Sequence, residues 1–142
     1  MKEILQILDR DAVNYVIVGS YARYLQGDLY EYSGKDIDII VDEDENAFDH
    51  LSNWKSLECR FNDKKGWYAA YYVVIDGKGI KYHVDVFNRP LPEYDLIDVD
   101  GIQVKVESIE ATKQFYRNLN IDKVGGHGIF QHKLRTIQEL YK

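Results

Sequence analysis

Asp36-Ile37-Asp38-Ile39-Ile40-Val41 opens with two acids two positions apart and closes on an unbroken apolar run. A short stretch this rich in β-branched residues reads as a strand. Side chains alternate between the faces of a strand, so Asp36 and Asp38 project side by side while Ile37 and Ile39 turn the other way. Neighbouring carboxylates repel each other and are costly to hold together without a cation. Acids at the head of a buried strand therefore point to a metal site. Hard oxygen donors suit Mg²⁺, which takes a few carboxylates and completes its shell with water and substrate phosphates.

Working outward, Tyr15-Val16-Ile17-Val18 is an earlier apolar strand, and Ser20 to Gln26 reads as a helix that stops at Gly27. Gly19-Ser20 lies at their junction. Glycine lets a phosphate approach the backbone, a helix start favours an anion, and the Ser20 hydroxyl adds a donor. Arg23, one turn on, and Lys35, just before the acids, are further candidates for nucleotide contact. A surface position explains Arg23 equally simply, and neutralisation of Asp36 is the favoured reading of Lys35. Downstream, His83-Val84-Asp85-Val86-Phe87 carries a single acid in another apolar strand. If that strand lies beside the first, Asp85 joins Asp36 and Asp38. Three carboxylates can hold two divalent ions about 3.5–4 Å apart, which supports in-line phosphoryl chemistry.

The remaining segments frame these three. Lys2 to Asp9 reads as an amphipathic helix with Ile4, Leu5 and Leu8 inward. Asp44 is placed to cap a helix over Glu45 to Trp54. Strands are expected over 56–61, 67–76, 80–87, 96–99 and 102–106, with hairpin turns at Asp76-Gly77-Lys78-Gly79 and Asp100-Gly101. Pro90 and Pro92 mark a connection after a strand. Ser108 caps a helix to about Leu119, and a last helix covers Ile129 to Tyr141, with Phe130, Leu134, Ile137 and Tyr141 on one face. Its His132, Lys133 and Arg135 are expected on the polar, solvated side, with nucleotide or substrate contact as the alternative. The pattern predicts an α+β domain with a mixed, largely antiparallel sheet flanked by helices.

The 142 residues suit one domain, with a catalytic core over about 15–87 and closing strands and helices over about 94–142. Hydrophobic residues at 45% and charged residues at 30% are a globular balance, which argues against disorder. No apolar run approaches twenty residues, and the first residues lack the pattern of a signal peptide, so a cytoplasmic, non-membrane protein is expected. One cysteine, Cys59, excludes an intrachain disulfide and makes a zinc site a poor expectation. The net charge of −6 argues against coating long nucleic acid, whereas an acidic chain that binds a metal–nucleotide complex remains compatible with it.

Gly19-Ser20, then Asp36-Ile37-Asp38, then Asp85 in an apolar strand together resemble the nucleotidyltransferase superfamily of DNA polymerase beta. The resemblance covers Tyr15 to Phe87 and is strongest to small prokaryotic members, including minimal nucleotidyltransferases and nucleotidyltransferase-type toxins. It implies the polymerase beta-like fold, Mg²⁺ with Mn²⁺ as a substitute, and transfer of a nucleoside monophosphate from a nucleoside triphosphate such as ATP to a hydroxyl. The acceptor would be a protein side chain, a tRNA end or a small molecule such as an aminoglycoside. Gly19 and Ser20 would bind the triphosphate, and Asp36 and Asp38 both metals. Asp85 would complete the nucleophile-side metal and help deprotonate the attacking hydroxyl. Many minimal members carry an arginine directly after Gly-Ser, where this chain has Tyr21. Little of a separate substrate-selecting domain fits after residue 108, so the closing helices, a second copy or a partner protein would serve that role. The rival readings are a noncatalytic module of the same fold, regulatory or antitoxin-like, and a metal-dependent phosphohydrolase on the same acids.

Overall fold

The computed structural model describes residues 2–10, 14–29, 31–32, 36–41, 57–61, 69–77, 80–88, 90–123 and 128–142. Helix α1 (Lys2–Arg10) leads into β1 (Tyr15–Val18), α2 (Gly19–Leu25) and β2 (Asp36–Val41). Strands β3 (Leu57–Phe61), β4 (Ala69–Gly77), β5 (Ile80–Asn88), β6 (Tyr94–Val99) and β7 (Ile102–Glu107) follow. The chain closes with α3 (Ile109–Asn118), a 3₁₀ turn (Ile121–Lys123) and α4 (Gly128–Leu140). The expected helix over 45–54, the residue pair 78–79 of one turn and Lys35 lie outside the described residues.

The strands form one seven-stranded sheet in the order β3-β4-β5-β2-β1-β7-β6. β2 runs antiparallel to β1 and parallel to β5, so the strand that opened the sequence reading is central. β1 runs parallel to β7, and the β3–β4, β4–β5 and β6–β7 pairs are antiparallel. The sheet is therefore mixed, as the segment pattern predicts. The β6–β7 hairpin turns on Asp100 and Gly101, both at positive φ (53° and 86°), the geometry that two-residue hairpins favour. The Asp98 carboxylate accepts the Gly101 N–H at 3.1 Å and fixes the turn.

Alternation divides the apolar residues between two faces. Ile17, Ile37, Ile39, Val84 and Val86 pack with Ile4, Leu5 and Leu8 of α1 and with Tyr21 and Ala22 of α2. That is the main core, and each of the three α1 residues is fully buried, as its helical spacing predicts. The opposite face carries Val16, Val18, Ile40 and Phe87. By the same parity, Asp38 shares this second face with Ile40, and Asp85 shares it with Phe87. A third cluster joins Tyr116, Ile121, Leu134, Ile137 and Tyr141 within the closing helices. The Ser108 hydroxyl caps α3 by accepting the Ala111 N–H at 3.1 Å.

Candidate active site

Register brings the acids together. In the parallel β2–β5 pair, Asp38 lies opposite Asp85 and Asp36 opposite His83. In the antiparallel β1–β2 pair, Asp38 lies opposite Val18, the residue before Gly19. The Gly-Ser junction and the two inner acids thus meet at one edge of the central strands. Gly19 adopts φ +70°, and a β-carbon there would sit 2.3 Å from Asp38 Oδ2. Glycine is required twice over, for its left-handed backbone and for the close approach of the acid.

The tightest acid pair is Asp38 with Asp85, across strands, rather than Asp36 with Asp38 along one strand. Burial, then the Asp85 charge and a hydrogen bond with Asp85, push the Asp38 carboxyl up to about 8; Asp36 adds a smaller push and Lys133 opposes it. Two acids this close share a proton when no cation is present. Asp36 is exposed but lines the same cavity, of about 740 Å³, together with Ser20, Tyr32, His83 and Asp85. Burial and the charges of Asp38 and Asp36 also raise the Tyr32 hydroxyl well above the usual phenol range. Among the described residues, no group of three or more His, Cys, Asp or Glu side chains forms a ready-made metal cage. The donor set nevertheless suits a hard divalent cation. It is all oxygen, and burial and the neighbouring acids hold the Asp38 carboxyl above the ordinary carboxylate range.

Two basic residues, Arg23 and Lys133, line the acid cavity. Arg23 lines the cavity but is 6% exposed, and its Nε donates to the Tyr141 hydroxyl at 2.7 Å and lies 3.6 Å from Asp28. The Tyr141 hydroxyl in turn donates to Asp28. This network ties the end of the chain to α2, which gives Arg23 a structural task. Lys133 was expected on a solvated face. It is exposed as expected, and from i+3 within the stripe Phe130, Leu134 and Ile137 it also lines the acid cavity and acts electrostatically on Asp38. A lysine inside the apolar stripe of a helix was the available signal. His132 and Arg135 are exposed as expected, and Arg135 pairs with Asp122 at 2.9 Å. His83, expected to be packed or hydrogen-bonded, is half-buried on the cavity wall.

No protein-family model and no curated protein matches the chain in sequence. Solved structures match its fold. A Thermotoga maritima protein provisionally assigned as a nucleotidyltransferase (TM1012) superposes with a TM-score of 0.59 at 22% identity, covering 98% of this chain and 88% of that one. ANT(2")-Ia, solved in complex with adenylyl-2"-tobramycin, matches with a TM-score of 0.56 at 14% identity, over 99% and 91% of the two chains. JHP933 from Helicobacter pylori matches with a TM-score of 0.50 at 18% identity, covering 100% of this chain and 66% of that one. The architecture is the nucleotidyltransferase fold. Among the described residues, no helix is long and apolar enough to cross a membrane.

Proposed function

We propose that this chain, with its nucleotidyltransferase fold, transfers a nucleoside monophosphate from a nucleoside triphosphate to a hydroxyl acceptor in a reaction dependent on Mg²⁺ or Mn²⁺. The observation that carries the reading is the Asp38–Asp85 pair, register-matched across β2 and β5 and set against the Gly19-Ser20 junction. Asp36, Asp38 and Asp85 would hold the metal. Bound there, a divalent cation would neutralise charge developing on the phosphoryl oxygens.

The chain's own groups supply the rest. The Gly19 backbone leaves room for a phosphate, and the Ser20 hydroxyl donates to one of its oxygens. Lys133, which lines the cavity, offsets triphosphate charge. The Asp85 carboxylate accepts the proton of the attacking hydroxyl. The acceptor oxygen forms a bond to the α-phosphorus while the bond to the pyrophosphate oxygen breaks, and pyrophosphate leaves. Most of the rate would come from positioning and fixed charge. A structural neighbour solved with an adenylylated aminoglycoside makes a small polyhydroxylated molecule one acceptor class to test, beside tRNA and protein.

The test incubates the protein with Mg²⁺ or Mn²⁺, each α-³²P-labelled nucleoside triphosphate, and an aminoglycoside, tRNA or a cell extract. Asp38→Ala and Asp85→Ala run in parallel. Label transferred by the parent chain and lost in both variants supports the assignment. Release of free phosphate without transfer would replace it with the hydrolase reading. Nucleotide binding without any turnover would replace it with the noncatalytic module.

A further inference from the structure

A second cavity, of about 100 Å³, opens beside the acid cavity and shares Ser20, Asp38 and Lys133 with it. Its walls are aromatic and aliphatic: Phe87 from β5, Phe115 and Tyr116 from α3, and Phe130, Leu134 and Ile137 from α4. Besides Asp38, at the border with the acid cavity, one carboxylate interrupts them. Glu107, 4% exposed at the end of β7, lines the slot, and its Oε1 accepts the Thr112 hydroxyl at 2.7 Å. The slot also touches Gly19, but not Asp36, His83 or Asp85.

We propose that this slot binds the nucleobase of the donor nucleotide, and that Glu107 selects a base presenting amino and imino donors, guanine before adenine or cytosine and uracil last. The proposal rests on the assignment of the acid cavity to a metal–triphosphate. A ligand suited to both cavities is apolar at one end and polyanionic at the other, with a lysine lining both. A nucleoside triphosphate has that shape and charge. The slot meets the acid cavity on the Gly19-Ser20 side, where the triphosphate is placed. It avoids Asp85, on whose side the acceptor hydroxyl approaches. The base, not the acceptor, is therefore the part that reaches it. Aromatic walls hold a base by stacking and apolar contact whatever its sequence identity, so discrimination falls to the buried polar group. A carboxylate accepts hydrogen bonds and donates none. Guanine offers it two adjacent N–H donors. Adenine and cytosine each offer an amino group beside a ring acceptor. Uracil offers one N–H flanked by two carbonyl oxygens that face the carboxylate unfavourably.

The test compares Mg²⁺-tripolyphosphate, GTP and UTP on the intact chain by calorimetry, and follows the Leu134 and Ile137 methyl resonances of the parent protein. GTP should bind at least about tenfold more tightly than tripolyphosphate. It should also shift both methyls through its ring current, which tripolyphosphate cannot do. Phe130→Ala should lower GTP affinity about tenfold and leave tripolyphosphate affinity unchanged. Glu107→Gln, which presents a donor as well as an acceptor, should narrow the gap between GTP and UTP. Should Phe130→Ala not fold, the methyl shifts of the parent chain decide. Equal binding of GTP and tripolyphosphate with unmoved methyls would overturn the slot assignment and leave the metal–triphosphate reading standing. Equal binding of GTP and UTP with shifted methyls would overturn the role of Glu107. Failure of tripolyphosphate and of every nucleotide to bind would overturn both readings.

Discussion

Replacing Gly19 by alanine tests the geometry of the site without removing any functional group. Its φ of +70° costs an L-residue about 1–2 kcal/mol. The new β-carbon would meet Asp38 Oδ2 at 2.3 Å, Cγ at 3.2 Å and Cβ at 3.3 Å, so the carboxylate must move. Moving it disturbs its hydrogen bond with Asp85, and a bond involving a charged group is worth about 1.5–3 kcal/mol. The sum is roughly 2.5–5 kcal/mol, or a fall in Tm of about 8–17 °C for a domain of this size. Gly27→Ala is the control. Gly27 has φ +79°, but nothing lies within 4 Å of the position its β-carbon would take. It should cost only the backbone strain, about 1–2 kcal/mol. Urea denaturation at pH 5, where the acid pair keeps its proton, gives both values free of carboxylate repulsion. The same variants titrated with Mn²⁺ should show affinity lost in Gly19→Ala and kept in Gly27→Ala. If the two substitutions cost the same and both retain the metal, the close approach of Asp38 to the junction is wrong.

Other expectations follow from single contacts and from one acid pair. With Asp38 raised far above an ordinary carboxylate, the metal-free folded chain holds a proton that the unfolded chain releases. Stability should therefore fall as pH rises from about 4 to 8, by up to about 1.4 kcal/mol per unit, and Asp38→Asn should flatten the slope in urea melts at pH 5, 6 and 7. Tyr141→Phe removes the acceptor of the buried Arg23 and the donor to Asp28, and should cost about 1–3 kcal/mol by chemical denaturation. Ser108→Ala removes the cap of α3 and should cost about 1 kcal/mol in the same assay.

What the sequence discloses depends on the range over which each feature is decided. The strands of the acid site could be read because alternation and apolar runs are local: Asp36–Val41 matches its expected bounds, and β5 ends one residue beyond the expected Phe87. The α1 core residues and the Ser108 cap follow from spacings of three or four. Pairing between β2 and β5 is not local, and the sequence supports Asp85 beside Asp38 only through motif order. Arg23 illustrates the limit. Its chemistry fits a phosphate or a carboxylate equally, and the choice is made by Tyr141, 118 positions away. Lys133 is the converse case. It is exposed like its neighbours Arg135 and His132, and only its place in the Phe130–Ile137 stripe distinguishes it as a cavity-lining residue.

The acid pair also offers a test that separates an enzyme from a binding-only chain of the same fold. Asp38 and Asp85 weaken the metal-free protein throughout the pH range in which one proton must be kept against its tendency to leave. A module that merely docks a partner through this fold gains nothing from that cost. Asn at position 85 would keep the shape and a hydrogen bond to Asp38 without the repulsion. Asp85→Asn should accordingly raise metal-free stability at pH 8 in both cases. It abolishes label transfer only if the acid is there for chemistry, because the amide neither ligates a hard cation well nor accepts the proton of an attacking hydroxyl. Groups that destabilise the scaffold while serving the reaction belong to the familiar trade between stability and activity. A variant that gained stability and kept its turnover would place the transfer chemistry elsewhere in the chain.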